Sequence, residues 1–325
     1  MEPLPPINYL RMSVTDRCNL RCVYCTYWQD WQKQPAGEIL RYEELLHLAA
    51  IAAEGGIRKI RLTGGEPLVR RGIVGFLQDL NRIPGIDQVC LTTNGVLLRE
   101  LAPAMYNAGV RRLNVSLDTL KRDRYCRITG SDNLPAVMAG LERAASLGFH
   151  PLKINCVVLR GINDDEIIDI ARLAREYPYQ VRFIELMPTT CQTWWQSHFL
   201  SMAEVRRRLA VLGPLEPLIR EAAAGPARTF RAPGFRGEIG FISPMSDHHC
   251  RTCNRLRLSS EGKVRPCLLE AKEIDLKGPL RRGASDGFLS YLFQEAVRLK
   301  QQKAGHVWSG SDAILGDLSM VSIGG

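Results

Sequence analysis

Cys18, Cys22 and Cys25 stand in the run Asp16-Arg17-Cys18-Asn19-Leu20-Arg21-Cys22-Val23-Tyr24-Cys25, which brings three thiols onto one short segment. Iron–sulfur cubanes ordinarily take four cysteine ligands, and structural zinc is closed by four protein ligands. A local set of three leaves one coordination position open, and an open position on a metal is where a small molecule binds and reacts. Spacing alone also suits half of a zinc site completed by a distant ligand, or loop thiols with no metal. A second set, Cys250, Cys253 and Cys267, is preceded by His248 and His249. A Cys3His zinc site and an iron–sulfur centre fit it equally well.

Holding two such centres in register requires a rigid frame. Short β-rich runs alternate with helical patterns, the signature of βα units around a parallel sheet. The alternation predicts strands at Tyr9–Val14, Lys59–Thr63, Gln88–Thr92, Arg112–Leu117, Leu152–Leu159 and Val181–Leu186. Helices are predicted over 42–53, 72–81, 98–107, 134–147 and 164–177, with a short one near 203–209. Six units describe an α/β fold, an incomplete (βα)6 TIM-like barrel, and would also suit an open doubly wound sheet. A Pro/Gly/Ala-rich connector around Glu221–Pro226 separates an expected barrel over 1–220 from a smaller region, 221–325, that carries the second cysteine set. Cys18, Gly64-Gly65-Glu66-Pro67, Thr92 to Gly95, Ser116 with Asp118, and Met187-Pro188 all fall at or just past predicted strand C-termini. In a parallel barrel that rim is where active sites assemble.

Bulk properties narrow the function classes. With 325 residues the chain is long enough for one large domain or two. The ten cysteines argue for metal or redox use rather than a disulfide framework, given no basic-then-apolar leader. Cys90, Cys126, Cys156 and Cys191 read as scattered small hydrophobes. No run approaches a membrane span, so a cytoplasmic protein without membrane contact is expected. The net charge of +9 is spread along the chain, with neither a lysine-rich arm nor an RNP-type aromatic motif. It favours a polyanionic small molecule over nucleic acid.

Following the first cysteine set by about forty residues, Thr63-Gly64-Gly65-Glu66-Pro67 makes the chain similar to the radical S-adenosylmethionine (SAM) superfamily. In that superfamily a three-cysteine [4Fe–4S] cluster holds the amino and carboxyl groups of SAM through its unique iron. Arg11–Cys18, Leu62–Leu68, Leu91–Gly95, Asn114–Asp118, Arg182–Pro188, Asn254–Leu258 and the terminal Gly324-Gly325 resemble one family within it, the GTP 3′,8-cyclases of molybdenum cofactor (molybdopterin) biosynthesis. The resemblance implies two [4Fe–4S] clusters, one on Cys18, Cys22 and Cys25 and one on Cys250, Cys253 and Cys267, the latter contacting guanine. It implies that SAM is held by the backbone around Gly65 with Tyr24, Ser116 and Met187. GTP would be held by Arg11, Arg61, Thr92, Lys153, Arg182, Arg255 and Arg257. Arg255, Arg257 and the tail residues Gly324 and Gly325 would assist the reaction. That reaction is a radical lyase step converting GTP to (8S)-3′,8-cyclo-7,8-dihydroguanosine 5′-triphosphate. An electron-donating reductant and the next enzyme of the pathway are the implied partners, and a homodimer is one expected assembly.

Physical chemistry agrees with the cation assignment. A nucleoside triphosphate brings about four negative charges, and guanidinium suits phosphate oxygens. Arg11, Arg61, Lys153 and Arg182 sit on predicted strands where a barrel usually turns apolar side chains inward. The chain also departs from the family. Thr26 to Trp31 replaces the usual Met-Pro after the first cysteines, and His248-His249 replaces Pro-Phe before Cys250. Trp194-Trp195 follows Cys191, and Leu318 stands where a basic residue is common. Two other readings fit parts of the sequence: a two-cluster peptide-modifying maturase, which needs no such cation set, and a zinc-bearing nucleic-acid regulator, which would be colourless.

Overall fold

The computed structural model describes residues 5–25, 32–188, 192–219, 225–247, 252–268 and 272–303. Cys250, His248, His249, Cys191, Leu318, Gly324, Gly325 and the segment 26–31 lie outside the described residues.

Six βα units follow one another. The strands are β1 (Tyr9–Ser13), β2 (Lys59–Thr63), β3 (Gln88–Thr93), β4 (Arg112–Ser116), β5 (Leu152–Val158) and β6 (Gln180–Glu185). Between them run α1 (Tyr42–Glu54), α2 (Ile73–Leu80), α3 (Leu98–Asn107), α4 (Arg122–Thr129), α5 (Leu134–Ser146) and α6 (Ile167–Glu176). Each helix turns an apolar stripe onto the sheet. In α1 that stripe is Leu45, Leu48, Ala49 and Ala52, all buried, as a period of 3.6 demands. The predicted elements agree with these bounds to within about three residues at each end. Sequence periodicity missed α4, because its charged turns hide the few buried positions, Tyr125, Ile128 and Thr129.

All neighbouring pairs from β1 to β6 are parallel and run in consecutive order. A doubly wound sheet reverses its order at a switch point. This sheet does not, so the chain forms the partial-barrel alternative. Beyond β6 come α7 (Gln192–His198), α8 (Met202–Leu209), β7 (Glu216–Pro217), β8 (Arg228–Arg231), β9 (Glu238–Ile242), β10 (Arg255–Leu258), β11 (Lys263–Arg265), β12 (Ile274–Asp275), α9 (Lys277–Arg281) and α10 (Asp286–Lys303). β9 adds parallel to β6, and β10 adds parallel to β1. The antiparallel β8 and β7 extend one side and β11 and β12 the other. Twelve strands therefore form one curved sheet whose ends do not pair among the described residues: an open barrel, not a closed one.

Candidate active site

The cysteine segment leaves β1 and is pressed against the Gly-Gly turn that follows β2. Val14 N donates to Thr63 O at 3.0 Å, Gly65 N to Thr15 O at 2.8 Å and Glu66 N to Arg17 O at 2.8 Å. A Cβ on Gly65 would lie 2.3 Å from the Arg17 carbonyl oxygen, and one on Gly64 would lie 2.5 Å from that of Thr15. Only glycine permits so close an approach of two backbones. The far side of the segment is tied to α4, with Arg21 N donating to Thr129 O and Val23 N to Ile128 O. The Tyr24 hydroxyl donates to Asp118 Oδ2 at 2.6 Å, and Asp118 Oδ1 accepts from Val157 N at 2.8 Å. Glu66 accepts from Leu68 N, Thr93 Oγ1 and Asn94 N, so its carboxylate locks the turns after β2 and β3 together.

Burial dominates the chemistry of this pole. It pushes the Cys18 thiol up to about 11 and, with Cys18 and Asp118 adding negative charge, the Cys25 thiol up to about 12. Cys22 is raised well above the ordinary range for the same reasons. Burial likewise lifts the carboxyl of Glu66 to about 7 and that of Asp118 to about 6. Thiols held so high give up their protons when a soft metal centre replaces them, which is the donor chemistry of an iron–sulfur cluster. Among the described residues no three His, Cys, Asp or Glu side chains converge on a single ion. A cubane makes no such demand, because it spends one thiolate on each iron. The residues present therefore fit the cluster.

The thiols open into a cavity of about 400 Å³ running down the barrel. Tyr24, Gly65, Ser116 and Met187 line it beside Cys18, Cys22 and Cys25. Arg11, Arg61, Thr92, Lys153, Arg182, Arg255 and Arg257 line it too, together with Cys253 and Cys267. Every described residue singled out from the sequence thus faces one space. Strand register explains the gathering: Arg257, Arg11 and Arg61 are direct cross-strand neighbours, as are Thr92, Asn114 and Lys153.

The cations are not equivalent. Arg61 is satisfied inside the protein, donating from Nε to the Tyr9 hydroxyl at 2.7 Å and from Nη1 to Leu91 O at 3.1 Å. Arg182 is 5 % exposed, and its Nε and Nη2 have no hydrogen-bond partner among the described residues. Room for it comes from Gly240 on the neighbouring strand, where a Cβ would fall 2.8 Å from Arg182 Cγ. Burial, then the charges of Arg61, brings Arg182 down to about 9. Burial, reinforced by Arg182, Arg61, Lys59 and Arg112, brings Lys153 down to about 6. Arg257 falls to about 10 through burial and Arg255. Burial alone would raise the Cys253 thiol, but Arg255 and Lys300 pull it to about 6. Cations driven from their ordinary range in a dry cavity are stabilised by an anion that enters it.

Sequence reasoning missed several lining residues that a period of two would have found. Tyr9 and Lys59 lie two positions before Arg11 and Arg61, Asn155 two after Lys153, and Asn114 two before Ser116; all line the cavity. Trp195 Nε1 donates to Leu186 O at 2.8 Å and so fastens α7 to the strand end that carries Met187, while Trp194 stacks on His198 within the same helix.

This architecture, a partial barrel with a thiol triad on the rim after its first strand, is that of a known class. Residues 12–174 match the model of the radical SAM superfamily, and residues 179–306 match the model described as Molybdenum Cofactor Synthesis C. The fold is shared with Streptococcus suis SuiB, solved bound to S-adenosylmethionine: TM-score 0.59 at 14 % identity, covering 83 % of this chain and 63 % of that one. The chain belongs to the radical SAM superfamily.

Closer relatives narrow this further. The GTP 3′,8-cyclase of Moorella thermoacetica is 50 % identical over 294 residues, covering 90 % of this chain and 91 % of that protein. That of Pelotomaculum thermopropionicum is 49 % identical over 299 residues, covering 91 % and 92 %. Within the superfamily, the chain belongs to the GTP 3′,8-cyclase family of molybdenum cofactor biosynthesis. No described helix is long and apolar enough to cross a membrane.

Proposed function

We propose that the protein converts GTP to (8S)-3′,8-cyclo-7,8-dihydroguanosine 5′-triphosphate, using two [4Fe–4S] clusters and SAM. The observation that carries this reading is one cavity with three thiols at one pole, two further thiols elsewhere on its wall, and seven strand-borne cations along it. In this reading the barrel, 1–220, binds SAM, and the region 221–325 completes the cavity and carries the second cluster on Cys250, Cys253 and Cys267. When bound, SAM and its cluster supply a 5′-deoxyadenosyl radical able to take the ribose 3′ hydrogen.

The chain's own residues do the rest. Tyr24, Gly65, Ser116 and Met187 hold SAM at the rim, with the Gly65 backbone open to its amino group. Arg182 and Lys153 take the triphosphate, because both are buried beside other cations and an entering anion relieves that repulsion. Arg11, Arg61 and Thr92 fix its height in the barrel. Arg255 and Arg257 orient the nucleotide beside the second cluster, and the Gly324-Gly325 tail assists. Held this way, C3′ stays close to C8 of the same guanine, and proximity supplies most of the protein's share of catalysis. A low-molecular-weight or protein reductant supplies two electrons, one to cleave SAM and one, with a proton, to complete the cyclised nucleotide; the product passes to the next enzyme of the pathway, and a homodimer in the cytoplasm is the working assembly. A peptide-modifying activity is less well supported, since a peptide has no use for so many buried cations.

Anaerobically reconstituted protein with SAM, dithionite and GTP tests the reading. The expected products are 5′-deoxyadenosine and a cyclised nucleotide in equal amounts. Deoxyadenosine without loss of GTP would discard the substrate and leave the superfamily intact.

A further inference from the structure

α10 packs against α1 and β11 and buries a stripe at 289, 293, 296 and 300, the spacing of one helix face. Leu289, Phe293 and Ala296 fill the first three positions. The fourth is Lys300, 9 % exposed, where the pattern calls for an apolar side chain. Its Nζ donates to Pro266 O at 2.9 Å, the carbonyl just before Cys267. It lines the cavity together with Cys253 and Cys267. Among the described residues no carboxylate lies within ion-pair distance of it. Lysines are almost never buried unless paired, since an uncompensated ammonium in a dry interior costs several kcal/mol.

We infer that Lys300 is a positioning residue of the C-terminal metal centre, its ammonium offsetting the negative charge of the cluster held by Cys253 and Cys267. The inference rests on the two-cluster reading above. A reduced cluster carries one more negative charge than an oxidised one, so a buried cation beside it favours reduction and raises the midpoint potential. Lys300 also holds the carbonyl before Cys267, which orients that ligand from outside the coordination shell, as groups around metal ligands commonly do.

The test is an anaerobic dithionite titration of the reconstituted full chain, following the paramagnetic signals of both centres. Wild type is compared with Lys300→Met and Lys300→Arg. SAM perturbs only the N-terminal centre, which assigns the signals. The expected result is a C-terminal midpoint displaced to more negative potential in Lys300→Met and restored in Lys300→Arg, with the N-terminal midpoint unmoved. A second readout is thermal: with both clusters loaded, Lys300→Met should melt lower than wild type and Lys300→Arg close to it, because only the cations offset the buried cluster charge. An unmoved C-terminal midpoint with iron content intact overturns the inference. Weaker GTP binding with that midpoint unmoved also overturns it, and reassigns the lysine to substrate. Wild type that binds only about four irons overturns the two-cluster reading together with this inference.

Discussion

With the triphosphate at Lys153, as proposed above, nucleotide binding and proton binding become one event. Burial among Arg182, Arg61, Lys59 and Arg112 holds its ammonium near a pKa of about 6. At pH 7.5 only a minority of the free protein then carries the proton there. An incoming triphosphate places negative charge beside the amine and returns its pKa toward the usual lysine range. Binding at pH 7.5 should therefore take up close to one proton, and affinity should fall as pH rises, by up to about tenfold per unit above pH 6. Above pH 7.5 a terminal phosphate, with its second pKa near 6, is fully ionised and contributes no proton of its own.

Calorimetry of GTP binding without SAM, in Tris and in HEPES, separates the proton from the intrinsic heat. The apparent enthalpies should differ by about one proton's worth of buffer ionisation, and Lys153→Met should abolish the difference. Stability gives the opposite sign to affinity. The folded pKa lies below the unfolded value of 10.5, so the unfolded chain binds more protons between about pH 6 and 10.5. Through this group, the nucleotide-free protein gains stability as pH rises across that window. Zero proton uptake, or the same uptake in Lys153→Met, would refute the reasoning.

Arg182→Met removes a buried guanidinium whose Nε and Nη2 have no hydrogen-bond partner among the described residues, and should stabilise the nucleotide-free protein by about 1–3 kcal/mol. The same variant should lose most of the GTP-induced rise in melting temperature; a melting curve that keeps this rise contradicts the phosphate assignment. Asp118→Ala frees Tyr24 and Val157 N from one carboxylate and should loosen the cysteine segment by about 1–3 kcal/mol. Iron lost to a chelator should increase, and Tyr24→Phe added to it should cost less than it does alone, which a double-mutant cycle would detect. Gly65→Ala drives a Cβ into the Arg17 carbonyl and should weaken SAM binding at least about tenfold, consistent with a backbone shift of about 1–3 kcal/mol. Gly75→Ala on α2, where nothing lies within 4 Å, serves as the control and should leave SAM dialysis unchanged.

The six βα units, the Gly-Gly turn and both cysteine sets are local features, and periodicity or spacing displays them directly. The helix expected over 98–107 coincides with α3, because Leu98, Ala102 and Met105 display its buried face in sequence. The positions of β9 and β10 were not legible. Each is a short run, and nothing within four or five residues says that β10 closes against β1 across some 240 residues of chain. Lys300 escaped for a related reason: on a helix end an isolated lysine looks solvated until the partner surface is known.

Sequence alone determined which groups are available, three thiols on one short segment and a set of strand-borne cations, since residue type sets donor hardness and charge. Tertiary structure alone decided their state. The same arginine residue type is satisfied at Arg61 by Tyr9 and Leu91 and left wanting at Arg182, because hydrogen-bond partners and solvent exclusion come from strands far apart in the chain. Charge is encoded residue by residue, whereas its compensation exists only once the sheet has curved around it.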